Sequence, residues 1–236
     1  MENILDKIRN ELAFNIDEKY RAGSQNFFKE EIKNLGVKGG IVHKISKKYF
    51  ALIKDKSKAD IFDLCDMLWQ SGYIEESVIA CNWSYYIHKK YEPSDFDTFE
   101  TWIGKYVSNW ATCDTLCNHS IGVFIEMYPE FLARLKEFTK SDNRWMRRAS
   151  AVSLILPARK GQFLNDIKEI ADLLLSDKDD LVQKGYGWML KAASKSHQQE
   201  IFDYVILNKA IMPRTALRYA IERMPKEMRV SAMSKQ

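Results

Sequence analysis

Apolar residues recur every three or four positions along almost the whole chain, with charged residues between them. Leu5, Ile8, Leu12 and Ile16 trace one stripe of a first helix. The same period predicts helices over residues 27–35, closed by Gly36, and over 41–53, after the Gly39-Gly40 turn. Two more follow at 60–71 and 75–90, parted at Gly72, and another at 96–106 after the break at Glu92-Pro93-Ser94. A helix through Cys117, Ile121 and Ile125 stops near Tyr128-Pro129, and 131–139 is a short one. Asp142-Asn143 reads as a cap for 144–156, expected to end before Pro157. Segments 163–175, 179–193, 199–207 and 214–223 complete the series, with Pro213 at the first position of the last helix, where its missing donor costs nothing. No stretch alternates with the period of a strand.

The second helix of each pair starts near residues 76, 112, 143, 180 and 213, so the pairs repeat every 30 to 37 residues or so. That period matches a short HEAT-like repeat better than a four-helix bundle. The expected fold is all-α: HEAT-like helical repeats stacked into a curved solenoid with a concave basic surface. A single domain over residues 1–236 is expected, its N-terminal part, roughly 1–58, being less regular.

Composition supports a folded helical protein. The chain has 236 residues, enough to bury a full core, and only five prolines and ten glycines. Its apolar runs are far shorter than a membrane span. The opening MENILDKIRNELAF is charged throughout and has no apolar segment of a signal peptide, so a cytoplasmic location is expected. Charge is uneven. Residues 144–236 hold 17 Lys/Arg against 10 Asp/Glu, a net +7, whereas residues 1–143 hold 19 against 22, a net −3. A basic C-terminal half suits a polyanion such as nucleic acid, and it equally suits an ordinary solvated surface. The four cysteines, Cys65, Cys81, Cys113 and Cys117, lie in amphipathic segments and read as reduced. Cys113 and Cys117 with nearby His119 lack a fourth ligand for zinc, so no metal site is read. Phosphate-binding loops, G-x-S-x-G and H-E-x-x-H are all missing, and with them the local signatures of nucleotide hydrolases, α/β-hydrolases and zinc proteases.

Four residues stand out by register. Steps of 37 residues lead from Asp114 to Ala151 and from Ala151 to Trp188; Trp110 lies one turn before Asp114, and Arg148 one turn before Ala151. If the pairs stack in parallel, these side chains are expected on one concave surface. Each also has a plain structural reading. Asp114 can be a first-turn acid, capped by Asn109 or Thr112 and favoured by the helix dipole. Arg148 can belong to a solvated run with Arg144 and Arg147, and Trp188 can be core. Gly185 and Gly187, each costing about 1 kcal/mol in a helix relative to alanine, suggest that something approaches the last of these helices closely.

Taken together, the stretches NWATCD (109–114), RWMRRASAVS (144–153) and DLVQKGYGWMLK (180–191) resemble the AlkD-type, HEAT-like DNA glycosylases of the DNA alkylation repair family. The resemblance extends over nearly the entire chain and rests on the joint order and spacing of short motifs. It puts the family's catalytic aspartate on Asp114, its two substrate-facing tryptophans on Trp110 and Trp188, and its backbone-contacting arginine on Arg148. An aromatic near Phe27 followed by an L-G-[IV] turn matches Leu35-Gly36-Val37; the proline and paired basic residues usual after it are replaced by KGGIVHK. Arg147, Lys184, Arg214 and Arg218 are candidate phosphate contacts, each equally readable as an exposed charge.

The resemblance implies hydrolysis of the N-glycosidic bond of N3- or N7-alkylated purines in duplex DNA, with the lesion still stacked. No cofactor and no obligate protein partner are implied, and a monomer is expected. Two other readings stay open: a noncatalytic binder of damaged, branched or distorted DNA, and a protein-interaction scaffold. An acid facing the backbone argues against the first because it would repel phosphates; the basic C-terminal half argues against the second.

Overall fold

A computed structural model describes residues 3–234, which are helical with no strand among them. None of these helices is long and apolar enough to cross a membrane. The chain divides into two compact units, Met1–Leu116 and Cys117–Gln236.

The first unit contains α1 (Ile4–Phe14), α2 (Glu18–Ser24), α3 (Gly39–Phe50), α4 (Lys58–Gln70), α5 (Ile74–Tyr86), α6 (Asp95–Lys105) and α7 (Trp110–Leu116). α5 is its centre, packed against α3, α4 and α7. Local chemistry sets the helix starts. Asn3 caps α1 through the amide of Leu5, and Ser57 with Asp60 forms a reciprocal capping box at α4. The core is aromatic: Trp69, Trp83, Trp102, Phe96 and Phe99 are all essentially buried. The Trp83 indole donates to the carbonyl of Ser46 at 2.9 Å, and Arg9 of α1 pairs with the buried Glu76 of α5 at 3.0 Å.

The segment expected as a helix over 27–35 is not one. Residues 25–27 make a single 3-10 turn, and a loop follows as far as α3. Its amides are satisfied by a distant carboxylate instead: buried Glu75 accepts from the N–H groups of Leu35, Gly36 and Val37 at 3.0, 2.9 and 3.1 Å. A helix running through Leu35 would draw that amide into its own ladder and take one donor from this buried carboxylate. Gly36 takes φ +88°, a conformation that L side chains resist.

The second unit begins with a π-helical stretch, Cys117–Ile121, followed by α8 (Gly122–Met127), α9 (Leu132–Phe138), α10 (Arg144–Val152), α11 (Ile155–Arg159) and α12 (Leu164–Leu173). Then come α13 (Asp180–Ala193), α14 (Gln198–Asn208), α15 (Arg214–Ile221) and α16 (Lys226–Met233). Pro157 does not end a helix as expected. α10 stops earlier, and Pro157 lies in the first turn of α11, where a missing N–H leaves no bond unmade. α16 and α2 carry no apolar period to reveal them; α16 buries only Ala232, and α2 buries nothing.

α13 is the hub, packed against α10, α11, α12 and α15. Its glycines explain the closeness. A Cβ on Gly187 would lie 2.7 Å from both the Ala216 carbonyl oxygen and Tyr219 Cβ of α15, and one on Gly185 would lie 3.3 Å from Arg148 Cγ of α10. What approaches this helix is its own neighbours.

The repeat period reappears in the polar contacts. Lys136 reaches Glu169 across 33 residues, Lys160 reaches Glu126 across 34, Lys191 reaches Glu222 across 31, and Tyr204 reaches Asp172 across 32. In the first unit Lys48 meets Glu11 across 37 residues, and Lys58 meets Glu92 across 34. A chain that stacks helix pairs brings equivalent positions of neighbouring pairs together, so one repeat length separates the partners.

Candidate nucleic-acid interface

In the first unit the site residues gather at the start of α7. Asn109 caps this helix, its side-chain oxygen accepting the Thr112 amide at 3.0 Å. Trp110 and Asp114, four residues apart, therefore share one helix face, and both are half-buried. Trp110 is gripped twice by the N-terminal loop: its indole N–H donates to the Phe27 carbonyl at 3.2 Å, and the Phe28 ring stacks on it at 5.2 Å and 20°. Beside it lies an apolar cavity of about 260 Å³, with Phe27, Phe28, Val42, Val78 and Trp110 among its walls. The Phe27 side chain itself is 74% exposed.

In the second unit the predicted cations differ sharply in what they do. Arg148 is only 5% exposed; its guanidinium donates to the Leu181 carbonyl at the start of α13, and its stem covers Gly185. Arg147 is held by Asp177 at 2.7 Å and by the carbonyls of Ser141 and Asp142 at 2.8 and 3.0 Å. Lys184 pairs with Asp180 of its own helix at 3.1 Å. Arg214 and Arg218 are exposed on α15. His119, in the π-helical stretch, is held below the ordinary imidazole pKa by partial desolvation, which favours a neutral ring near pH 7.

Trp188 is half-buried and forms one wall of a hollow of about 570 Å³, whose rim carries Arg159, Lys191, Lys195 and Arg223. Lys191 pairs with Glu222 at 2.8 Å and stands 5.3 Å from the centre of the Tyr219 ring.

One unit thus sets an acid one turn from a clamped tryptophan, and the other sets a second tryptophan among cations. The profile of the DNA alkylation repair enzyme family matches residues 8–224. The chain belongs to the DNA alkylation repair enzyme family. Its fold is similar to the solved structure of a predicted DNA alkylation repair enzyme from Enterococcus faecalis, with 15% identity, a TM-score of 0.79, and coverage of 90% of this chain and 98% of that one. At that identity the likeness speaks for the fold alone. A search of functionally curated proteins returns no match.

For a member of this family, sequence reasoning missed the cations around Trp188. A signal was there: Arg159, Lys191 and Arg223 follow one another at steps of 32 residues, the repeat length itself. They lie at the C-terminal ends of α11 and α13 and just past that of α15, where a lone cation is unremarkable. Only their shared hollow distinguishes them.

Proposed function

We propose that this member of the DNA alkylation repair enzyme family is a monofunctional DNA glycosylase that releases N3- and N7-alkylated purines from duplex DNA. The observation that carries the reading is the pairing of Asp114 with a clamped Trp110 on one helix face in a chain of this family. Alkylation leaves the base positively charged, so the leaving group is already activated. The bond from C1′ to the base nitrogen breaks, and its electron pair neutralises the departing base. Positive charge develops on the deoxyribose, and a water oxygen bonds to C1′.

In this reading Asp114 stabilises the cationic sugar and takes a proton from the attacking water, giving it up later to solvent. Trp110 presents an aromatic face whose negative quadrupole favours the cation, and Trp188 is proposed as a further such face. Arg148 has its proposed role at a flanking phosphate, acting from its fixed place on Leu181. The reaction leaves the base stacked and needs no cofactor or protein partner.

The test is release of base from duplex DNA carrying a single 7-methylguanine, comparing the natural chain with Asp114→Asn. Loss of release with DNA binding retained is expected. Equal release by the variant would overturn the role of Asp114.

A further inference from the structure

The motif cations of α10 and α13 and the cations around the Trp188 hollow stand in opposite settings. Arg147 and Lys184 are each neutralised by an aspartate within 3.1 Å, and Arg148 is buried on a carbonyl. The rim of the Trp188 hollow is the reverse. Arg159, Lys195 and Arg223 are exposed, and among the described residues none of them has a carboxylate within ion-pair distance. Lys191 alone on this rim is paired, with Glu222.

Helix ends account for part of this charge, because each C-terminus carries roughly half a negative charge. Three such ends and one glutamate do not balance four cations, so the hollow remains net positive. Capping also asks for one cation per helix end, whereas α13 supplies both Lys191 in its last turn and Lys195 just beyond it. Like charges gathered around one hollow repel each other unless an anion lies between them.

The row has a direction. α11 packs on α13, and α13 on α15. Packed helices lie about 8–10 Å apart, so cations at the same end of three successive helices form a line and not a point. Trp188 supplies an aromatic wall along that line, and Ser194 and Gln198 supply neutral hydrogen-bonding groups.

We propose that Arg159, Lys195 and Arg223 form a rail that grips successive phosphates of one DNA strand beside Trp188. The rail deepens the reading of Trp188 given above and rests on it only in taking duplex DNA as the ligand. It extends the DNA-contacting surface beyond the motif residues, and it sets binding strength and its salt dependence, leaving the bond-breaking step to other groups.

The experiment is the affinity of the full chain for an undamaged duplex across a salt series, followed by fluorescence anisotropy. Each phosphate neutralised contributes about −0.9 to the slope of log K against log salt. The triple variant Arg159→Ala, Lys195→Ala, Arg223→Ala should flatten the slope by about 2 to 3 while keeping the natural Tm, since all three side chains are exposed. The pair Arg159→Lys, Arg223→Lys should retain the slope, because it counts charges. Lys160→Ala serves as control, its charge already held by Glu126 at 2.7 Å.

An unchanged slope in the triple variant overturns the rail. So does a loss of about 1 however many cations are removed, which marks a site for a lone phosphate. A loss in the lysine pair equal to that in the alanine variants overturns it too. Excision measured on alkylated DNA keeps the two proposals apart. Release that ignores Asp114 defeats the proposed reaction and leaves the rail standing; Asp114-dependent release with an unaltered slope in the triple variant defeats the rail alone.

Discussion

The indole N–H of Trp110 donates to the carbonyl oxygen of Phe27 across 83 residues of chain. With Phe28 stacked on the same indole, the 3-10 turn at residues 25–27 and the first residue beyond it fix the ring one turn from Asp114. A stacked pair of this kind is worth about 0.5–1.5 kcal/mol.

Phe28→Ala should therefore loosen Trp110 and slow base release by up to about tenfold, since about 1.4 kcal/mol at the barrier is a factor of ten. Affinity for undamaged duplex should change little. Phe28→Tyr should restore the rate. Single-turnover release measured beside anisotropy separates these effects, and a full rate from Phe28→Ala would show that the stack does not position the ring.

Gly187→Ala sets two effects against each other. Alanine is the better helix former by about 1 kcal/mol, but its Cβ would meet the Ala216 carbonyl oxygen at 2.7 Å, and backbone cannot step aside as a flexible side chain can. Overpacking should win, lowering stability by about 1–3 kcal/mol. Gly104→Ala near the end of α6 is the counterpart: nothing lies within 4 Å of its added carbon, so it should stabilise by up to about 1 kcal/mol. Thermal melts of the two variants should shift in opposite directions, and parallel shifts would refute the close-approach account.

Arg148→Ala should cost stability as well as binding. It removes a side-chain donor from the Leu181 carbonyl and opens a void beside Gly185. Together these are worth about 2–4 kcal/mol. Tm should fall by several degrees, and duplex affinity at fixed salt should weaken in the fraction that remains folded. An unchanged Tm would show that the guanidinium holds nothing; an unchanged affinity would remove its role at the phosphate.

Much of this protein was legible in its residues. The three-to-four-residue apolar period places most of the helices, because burying one face of a helix demands it, and the 30-to-37-residue spacing announces the repeat because stacked pairs must present like positions to one another. The motifs around Trp110, Asp114, Arg148 and Trp188 point to the family that the profile match assigns. The segment 27–35 misled for a physical reason: its pattern is helical, but the amides of Leu35, Gly36 and Val37 are held by Glu75, about 40 residues away, and local periodicity carries no trace of so distant a partner. The same limit applies to charge. Sequence counts a basic C-terminal half of +7, yet it cannot distinguish Arg147, neutralised by Asp177, from Arg159, left facing a hollow beside Trp188. Which helices form and how often they repeat follow from local burial; which cations remain available to an anion was decided only when packing brought each one to, or kept it from, a carboxylate far along the chain.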